Sequence, residues 1–196
     1  MNSHELHAGH LDHQGIDVFG FWLYILTDCI LFGSIFATYI VLNHPGAYGP
    51  QLKDYVHLPY VFIETIFLLA SNFSFGLGMI NFYKRNLLKT RFWLGLTFIL
   101  GACFVGMEVN EFIDLFKEGY SFQISGAASA FFTLVGCHGF HVSMGLLWIL
   151  VMIIQLSMGN LNKLTEKRLV MLGIFWNFLD IVWIFVFTAV YLVGAL

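Results

Sequence analysis

The chain has 196 residues, of which 59% are hydrophobic and only 11% are charged. So apolar a composition excludes an ordinary water-soluble domain, and 22 Phe with only three Pro favour membrane-crossing helices over a transmembrane barrel. The net charge of -3, with nine basic residues confined to short stretches, excludes a nucleic-acid-binding surface.

The apolar residues fall into five stretches, each long enough to cross a hydrocarbon core of about 30 Å as a helix. These stretches cover residues 19–42, 59–82, 92–109, 126–158 and 169–196. Because the connecting loops are short, we predict an all-α integral membrane bundle of five transmembrane helices that forms one domain, residues 19–196.

Residues 1–18 precede the first predicted span as a polar segment that contains His4, His7, His10 and His13. A histidine-rich tract of this kind can bind a divalent metal. The favoured interpretation is a disordered terminus with solvated histidines, because such a polar segment buries little apolar surface.

The basic residues predict the orientation, because short loops rich in Lys and Arg stay in the cytoplasm. The loops after the second and fourth spans carry most of them: Lys84, Arg85, Lys89, Arg91, Lys163, Lys167 and Arg168. The remaining loops hold only Lys53 and Lys117. We therefore predict a cytoplasmic N-terminus and a periplasmic C-terminus.

Several polar side chains lie inside the predicted spans, where a charge costs at least about 2.5–3.5 kcal/mol on insertion scales. Asp28, His138 and Asp180 fall near the midplane, and we expect that they can meet. His141 lies one helical turn from His138, and Asn177 stands in the same relation to Asp180. The predicted buried polar cluster consists of Asp28, Glu64, His138, His141, Asn177 and Asp180. Glu64 lies closer to the outer surface, as do Glu108 and Glu111.

Two interpretations of this cluster stay open. In the first, the groups hydrogen-bond one another and fix helix packing. In the second, they form a lipid-associated or proton-conducting site, since acids within a membrane often line ion pathways.

A metal or haem site is disfavoured by the placement of the histidines. Only His138 and His141 lie inside a span, and they share one helix. In membrane cytochromes, by contrast, histidines from two facing helices coordinate the haem iron. Zinc or copper at the same pair needs further ligands such as Asp180 or Cys137. We predict no catalytic, cofactor-binding or metal-binding residue on this chain.

Five segments carry motifs at specific spacing, among them His138-Gly-Phe-His141-Val and Trp176-Asn-Phe-Leu-Asp180-Ile-Val-Trp183. The segments are Gly20–Phe32, Leu58–Thr65, Gly106–Phe112, Ala130–Val142 and Phe175–Trp183. With these motifs the chain resembles subunit III of the haem-copper terminal oxidases, most closely the five-helix form of the bo-type ubiquinol oxidases. The resemblance covers nearly the whole chain.

The resemblance implies an accessory subunit of a proton-pumping quinol oxidase of the aerobic respiratory chain, which couples quinol oxidation to the reduction of O2 to water. It implies that this chain is a non-catalytic subunit of that enzyme complex and stabilises the catalytic subunit. The haems and copper are then expected on the partner subunit I. Other oxidase subunits and phospholipids are the expected partners, and a bacterial inner membrane is the expected location.

Two positions depart from the family motif. Asp28 stands where relatives that oxidise cytochrome c usually have a glutamate, and a shorter acid there resembles the quinol-oxidase branch. Asn177 stands where the family commonly has His, which favours packing over proton transfer because asparagine does not titrate. The alternative from the residues themselves is a self-sufficient transporter or proton channel.

Overall fold

The computed structural model describes residues 3–43, 58–159 and 162–192, except for the side chains of residues 3–15 and 17. Within these ranges the chain forms five α-helices and no strand. The helices are α1 Ser3–Leu42, α2 Leu58–Tyr83, α3 Leu87–Lys117, α4 Gly126–Ser157 and α5 Lys163–Val186, which a π-helical segment, Phe187–Leu192, extends. All five are long and apolar enough to cross a membrane, which confirms the predicted all-α, five-span class.

Helix α3 is longer than the span predicted at residues 92–109, because it continues to Lys117. Its 31 residues make a helix of about 46 Å, longer than a hydrocarbon core of about 30 Å. The added C-terminal turns contain Glu111, whose side chain is buried against the protein. In a hydropathy profile an acidic residue such as Glu111 marks the end of a span. Burial of its side chain inside the bundle nevertheless allows the helix to continue.

The backbone is helical from Ser3, where the sequence indicated a disordered terminus. Residues 3–42 contain no Pro, so nothing in the backbone interrupts a helix that grows towards the N-terminus from the first span. The side chains of the four histidines of this segment lie outside the described residues, as do Lys53 and the last four residues of the fifth predicted span.

The helices follow one another around the bundle in the order α1, α4, α3, α2, α5, and α4 also packs against α5 across the middle. The large side chain of Trp176, from α5, fills the centre and is only 1% exposed. It fits there because a Cβ at Gly101 would lie 3.1 Å from its ring, and a Cβ at Gly145 only 2.8 Å from it. Two glycines thus let α3 and α4 close around one tryptophan.

The two basic loops lie at the same end of the bundle, as the sequence predicted. Arg85 from the first loop and Lys163 from the second line one cavity of about 150 Å³. Cys29 and Cys103 lie within apolar stretches of the sequence, yet both are exposed on the outside of the bundle.

Candidate polar sites between the helices

Asp28 of α1 pairs with His141 of α4. Its Oδ1 lies 3.8 Å from His141 Nε2, and His141 Nδ1 lies 2.7 Å from the carbonyl oxygen of Cys137. Because a carbonyl only accepts, Nδ1 carries a proton. The side chains of His141 and Asp28 are only 14% and 9% exposed, so the pair is shielded from the bilayer interior by the surrounding helices.

His138 does not join this pair, although it lies one turn away. Its side chain is fully buried, and its ring stacks on Trp183 with centroids 5.1 Å apart and meets the edge of Phe104 at 5.9 Å. Neither ring nitrogen has a hydrogen-bond partner within the described part of the chain. The expectation that Asp28, His138 and Asp180 meet is therefore wrong, since each has different neighbours.

Asp180 of α5 is tied to α2 instead. Asn72 Nδ2 donates to Asp180 Oδ2 at 3.0 Å, a bond that the sequence analysis missed because it considered only acids and histidines. Asn177, three residues before Asp180, is exposed and donates its Nδ2 to the carbonyl oxygen of Gly173 at 2.8 Å. Asn177 thus lies outside the buried cluster in which it was predicted.

Three acids gather where α2, α3 and the π-helical segment meet. Glu64 is 0% exposed, Glu108 3% and Glu111 8%, and Glu108 and Glu111 lie within electrostatic range of Glu64. The hydroxyl of Tyr191 donates to Glu111 Oε2 at 2.9 Å. The carboxyl of Glu108 lies against Gly139 of α4, where a Cβ would come within 2.7 Å of it. The spacing of Glu108 and Glu111 on one helical face was the signal that could have grouped them.

This acid cluster borders a cavity of about 480 Å³ that Glu111 lines together with Tyr60 and Asp114. The arrangement can hold protons on carboxyl oxygens beside an opening to the surface. Among the residues that the structure describes, no three or more His, Cys, Asp or Glu side chains stand close enough to share a metal ion.

Three hydrogen bonds join a side chain of α5 or its π-helical extension to a side chain of α2 or α3. Besides the bonds to Asp180 and from Tyr191, the indole Nε1 of Trp183 donates to Thr65 Oγ1 at 3.0 Å. Three further bonds run from side chains of α2 to carbonyl oxygens of α3: Tyr60 to Met107, Ser71 to Thr97 and Ser74 to Trp93. Five of these six bonds have one end on α2, which therefore connects α3 and α5 through polar contacts.

A second feature is apolar and faces outwards between α1, α4 and α5. A groove of about 500 Å³ is lined by Phe21, Tyr24, Met144, Leu147, Trp148, Val151 and Phe175. The ring of Trp148 lies 6.4 Å from that of Phe21 and 6.2 Å from that of Phe175, so aromatic faces form most of its wall. A long hydrocarbon chain is the ligand that such a surface suits.

Comparison with known proteins yields one family. The family model described as cytochrome c oxidase subunit III matches residues 4–195. The chain is 52% identical to the cytochrome bo(3) ubiquinol oxidase subunit 3 of Pseudomonas aeruginosa, over 100% of this chain and 95% of that protein. It is 41% identical to the probable quinol oxidase subunit 3 of Staphylococcus haemolyticus, over 93% and 92% of the two chains. It is 40% identical to the cytochrome c oxidase subunit 3 of Bacillus sp. (strain PS3), over 89% and 84%.

Proposed function

This chain belongs to the cytochrome c oxidase subunit III family, the accessory subunits of haem-copper oxidases, and we propose that its complex is a proton-pumping quinol oxidase of the aerobic respiratory chain. The observation that supports the quinol branch is the identity of 52% to a ubiquinol oxidase subunit 3 against 40% to a cytochrome c oxidase subunit 3. The reaction of such a complex is quinol oxidation coupled to the reduction of O2 to water.

Within that complex the chain is a non-catalytic subunit, and the haems and copper belong to subunit I. Two pairs of buried polar groups support this role. Asp28 pairs with His141, and Asp180 accepts from Asn72, so these groups connect helices. Paired in this way, they stabilise a packing surface for the catalytic subunit instead of presenting ligands.

Phospholipid is the second partner that we propose. The aromatic groove between α1, α4 and α5 supports it, because Phe21, Trp148 and Phe175 offer flat apolar faces to an acyl chain within membrane depth. The membrane is the bacterial inner membrane, with the N-terminus in the cytoplasm and the C-terminus in the periplasm. The two basic loops at one end of the bundle support this orientation.

The test is purification through an affinity tag on this chain in a mild detergent. We expect a haem-bearing partner to co-purify. Once that partner is removed, the sample of this chain should show no haem absorbance bands. Recovery of the chain alone, without a haem-bearing partner, would overturn the proposal.

A matched pair of variants refines this test. Asp180→Leu should reduce the recovered partner, because it removes the acceptor of Asn72 within membrane depth. Glu118→Leu should leave recovery unchanged, because Glu118 is exposed at the end of α3. Equal recovery with both variants would contradict a role for the buried polar groups in assembly.

One observation favours a second candidate function, a self-sufficient transporter or proton channel. The buried acids Glu64, Glu108 and Glu111 lie beside a cavity that reaches the surface. Reconstitution of the pure chain in vesicles with a pH-sensitive dye inside separates the two functions. An accessory subunit gives no proton flux above that of empty vesicles, whereas a channel does.

A further inference from the structure

Asn177 presents unused hydrogen-bonding capacity on the outside of the bundle. It lies near the middle of the membrane-crossing segment Lys163–Leu192, and its side chain is exposed. An asparagine amide offers two N–H donors and a carbonyl oxygen with two lone pairs. One donor is used by the carbonyl oxygen of Gly173 at 2.8 Å, and the described part of the chain forms no other hydrogen bond with this side chain.

The depth of Asn177 in the membrane determines which groups can form hydrogen bonds with its unused donor and acceptor. Acyl chains carry neither donors nor acceptors, and the headgroups begin about 15 Å from the midplane of a hydrocarbon core of about 30 Å. An amide with unpaired groups in hydrocarbon is costly, and polar groups at this depth face protein or a water-filled cavity. An acyl chain therefore cannot satisfy this amide, whereas a polar group on another protein helix can.

Four exposed hydroxyl residues within the spans differ from Asn177. The hydroxyls of Thr27, Ser34, Thr38 and Ser143 each donate to a carbonyl oxygen of their own helix at 2.7–2.8 Å. A hydroxyl has only one donor, so this single bond satisfies it. Of these five residues, Asn177 retains the most capacity for a partner.

The residues around Asn177 on α2 and α5 also have properties of a helix-docking surface. We call Asn72, Asn177 and Asp180 the polar patch, since Asn72 donates to Asp180 and Asn177 lies one turn before it. Asn177 is the exposed member, Asn72 is half-buried, and Asp180 is buried beneath them. Gly76, one turn after Asn72, is exposed, and a Cβ there would meet no atom within 4 Å. The side chain of Phe73 is 71% exposed beside it. A small residue next to a large apolar one is typical of surfaces that another membrane helix approaches closely.

We propose that the α2–α5 face around the polar patch docks a transmembrane helix of another oxidase subunit. This helix brings a hydrogen-bond donor to Asn177 at mid-membrane depth. A donor complements the carbonyl oxygen of Asn177, and within the described part of the chain the second N–H of its amide is free for an acceptor on the same helix. The inference rests on the proposed function, since it requires a complex with a second membrane subunit.

The first test measures how firmly this chain is held in the purified complex. The complex, tagged on this chain, is titrated with a harsher detergent, and the retained haem is followed by absorbance. We expect Asn177→Ala to weaken retention roughly threefold, the effect of losing one interhelical hydrogen bond in a membrane. Ser143→Ala, a matched exposed position at similar depth on α4, should behave as the wild type. Equal retention of the Asn177→Ala and wild-type chains overturns the proposal.

A second test reports contact directly and does not depend on the strength of the association. A small diazirine amino acid replaces residue 177 in one preparation and residue 143 in another, and the purified complexes are irradiated. We expect the probe at 177 to link to a transmembrane segment of another oxidase subunit, identified by mass spectrometry, in higher yield than the probe at 143. Equal yields, linkage to lipid alone, or no product at 177 overturns the proposal.

Different results would contradict the proposed function and the docking face. If the wild-type chain purifies without a haem-bearing partner, the proposed function fails. If the wild-type complex forms but variants at 177 neither weaken it nor link to a subunit, only the docking face fails. Circular dichroism of the Asn177→Ala complex should match the wild type, because the lost bond lies within one turn of α5.

Discussion

Substitution of Gly145 by alanine tests how tightly the centre of the bundle is closed. A Cβ at this position would lie 2.8 Å from Trp176 Cζ3, 3.0 Å from its Cε3 and 3.3 Å from Phe175 Cε1. Carbon atoms in good contact are about 3.5–4.0 Å apart, so the new methyl group overlaps the indole. The indole cannot retreat, because it is 1% exposed and Gly101 of α3 supports its other edge.

The expected loss of stability follows from two opposing contributions. Overpacking a filled core costs about 1–3 kcal/mol, whereas replacing a mid-helix glycine by alanine stabilises the helix by about 0.5–1 kcal/mol. Gly106→Ala is the matched control, because a Cβ at Gly106 would meet nothing within 4 Å. Since both variants share the helix contribution, the difference between them isolates the overpacking cost of about 1–3 kcal/mol.

The assay is unfolding of the purified chain in mixed micelles by increasing SDS, followed by helical circular dichroism. We expect the Gly145→Ala chain to unfold at a lower SDS fraction than both the wild type and the Gly106→Ala chain. If the two glycine variants have the same free energy of unfolding, α3 and α4 are not closed around Trp176 as described.

Two further predictions use the same assay. Thr65→Val keeps the side-chain shape but removes the acceptor of the Trp183 indole, 3.0 Å away, so the free energy of unfolding should fall by about 1 kcal/mol. Thr133→Val, which removes only an exposed bond within α4, should leave it within about 0.5 kcal/mol; similar losses for both would count against the interhelical bond. Tyr191→Phe removes the donor to Glu111 and should cost about 1 kcal/mol, whereas the exposed Tyr83→Phe should be neutral. A neutral Tyr191→Phe would mean that the bond to Glu111 adds no stability.

Hydropathy was sufficient for the number of spans, because each membrane crossing requires a long apolar stretch whatever its partners are. It was less informative about where α3 ends. Glu108 and Glu111 lower the local hydropathy, yet both side chains are buried against neighbouring helices. A sequence window records that an acid is present but not which way it points.

The pairing of the polar residues could not be predicted, because depth along a helix does not fix rotation about its axis. Residues three apart differ by about 60° around a helix of 3.6 residues per turn. That difference directs His141 towards Asp28 and His138 towards Trp183. It likewise leaves Asn177 exposed while Asp180 is buried.

The three side-chain hydrogen bonds that α5 and its extension make with α2 and α3 bear on the order in which the protein is made. Thr65, Asn72 and Glu111 leave the ribosome long before Trp183, Asp180 and Tyr191, which are their partners at separations of 118, 108 and 80 residues. These three side chains on α2 and α3 therefore have no partner on α5 until the fifth helix is inserted. The arrival of α5 completes all three bonds, so the α2–α3 pair reaches its final polar contacts only after nearly the whole bundle has been synthesised.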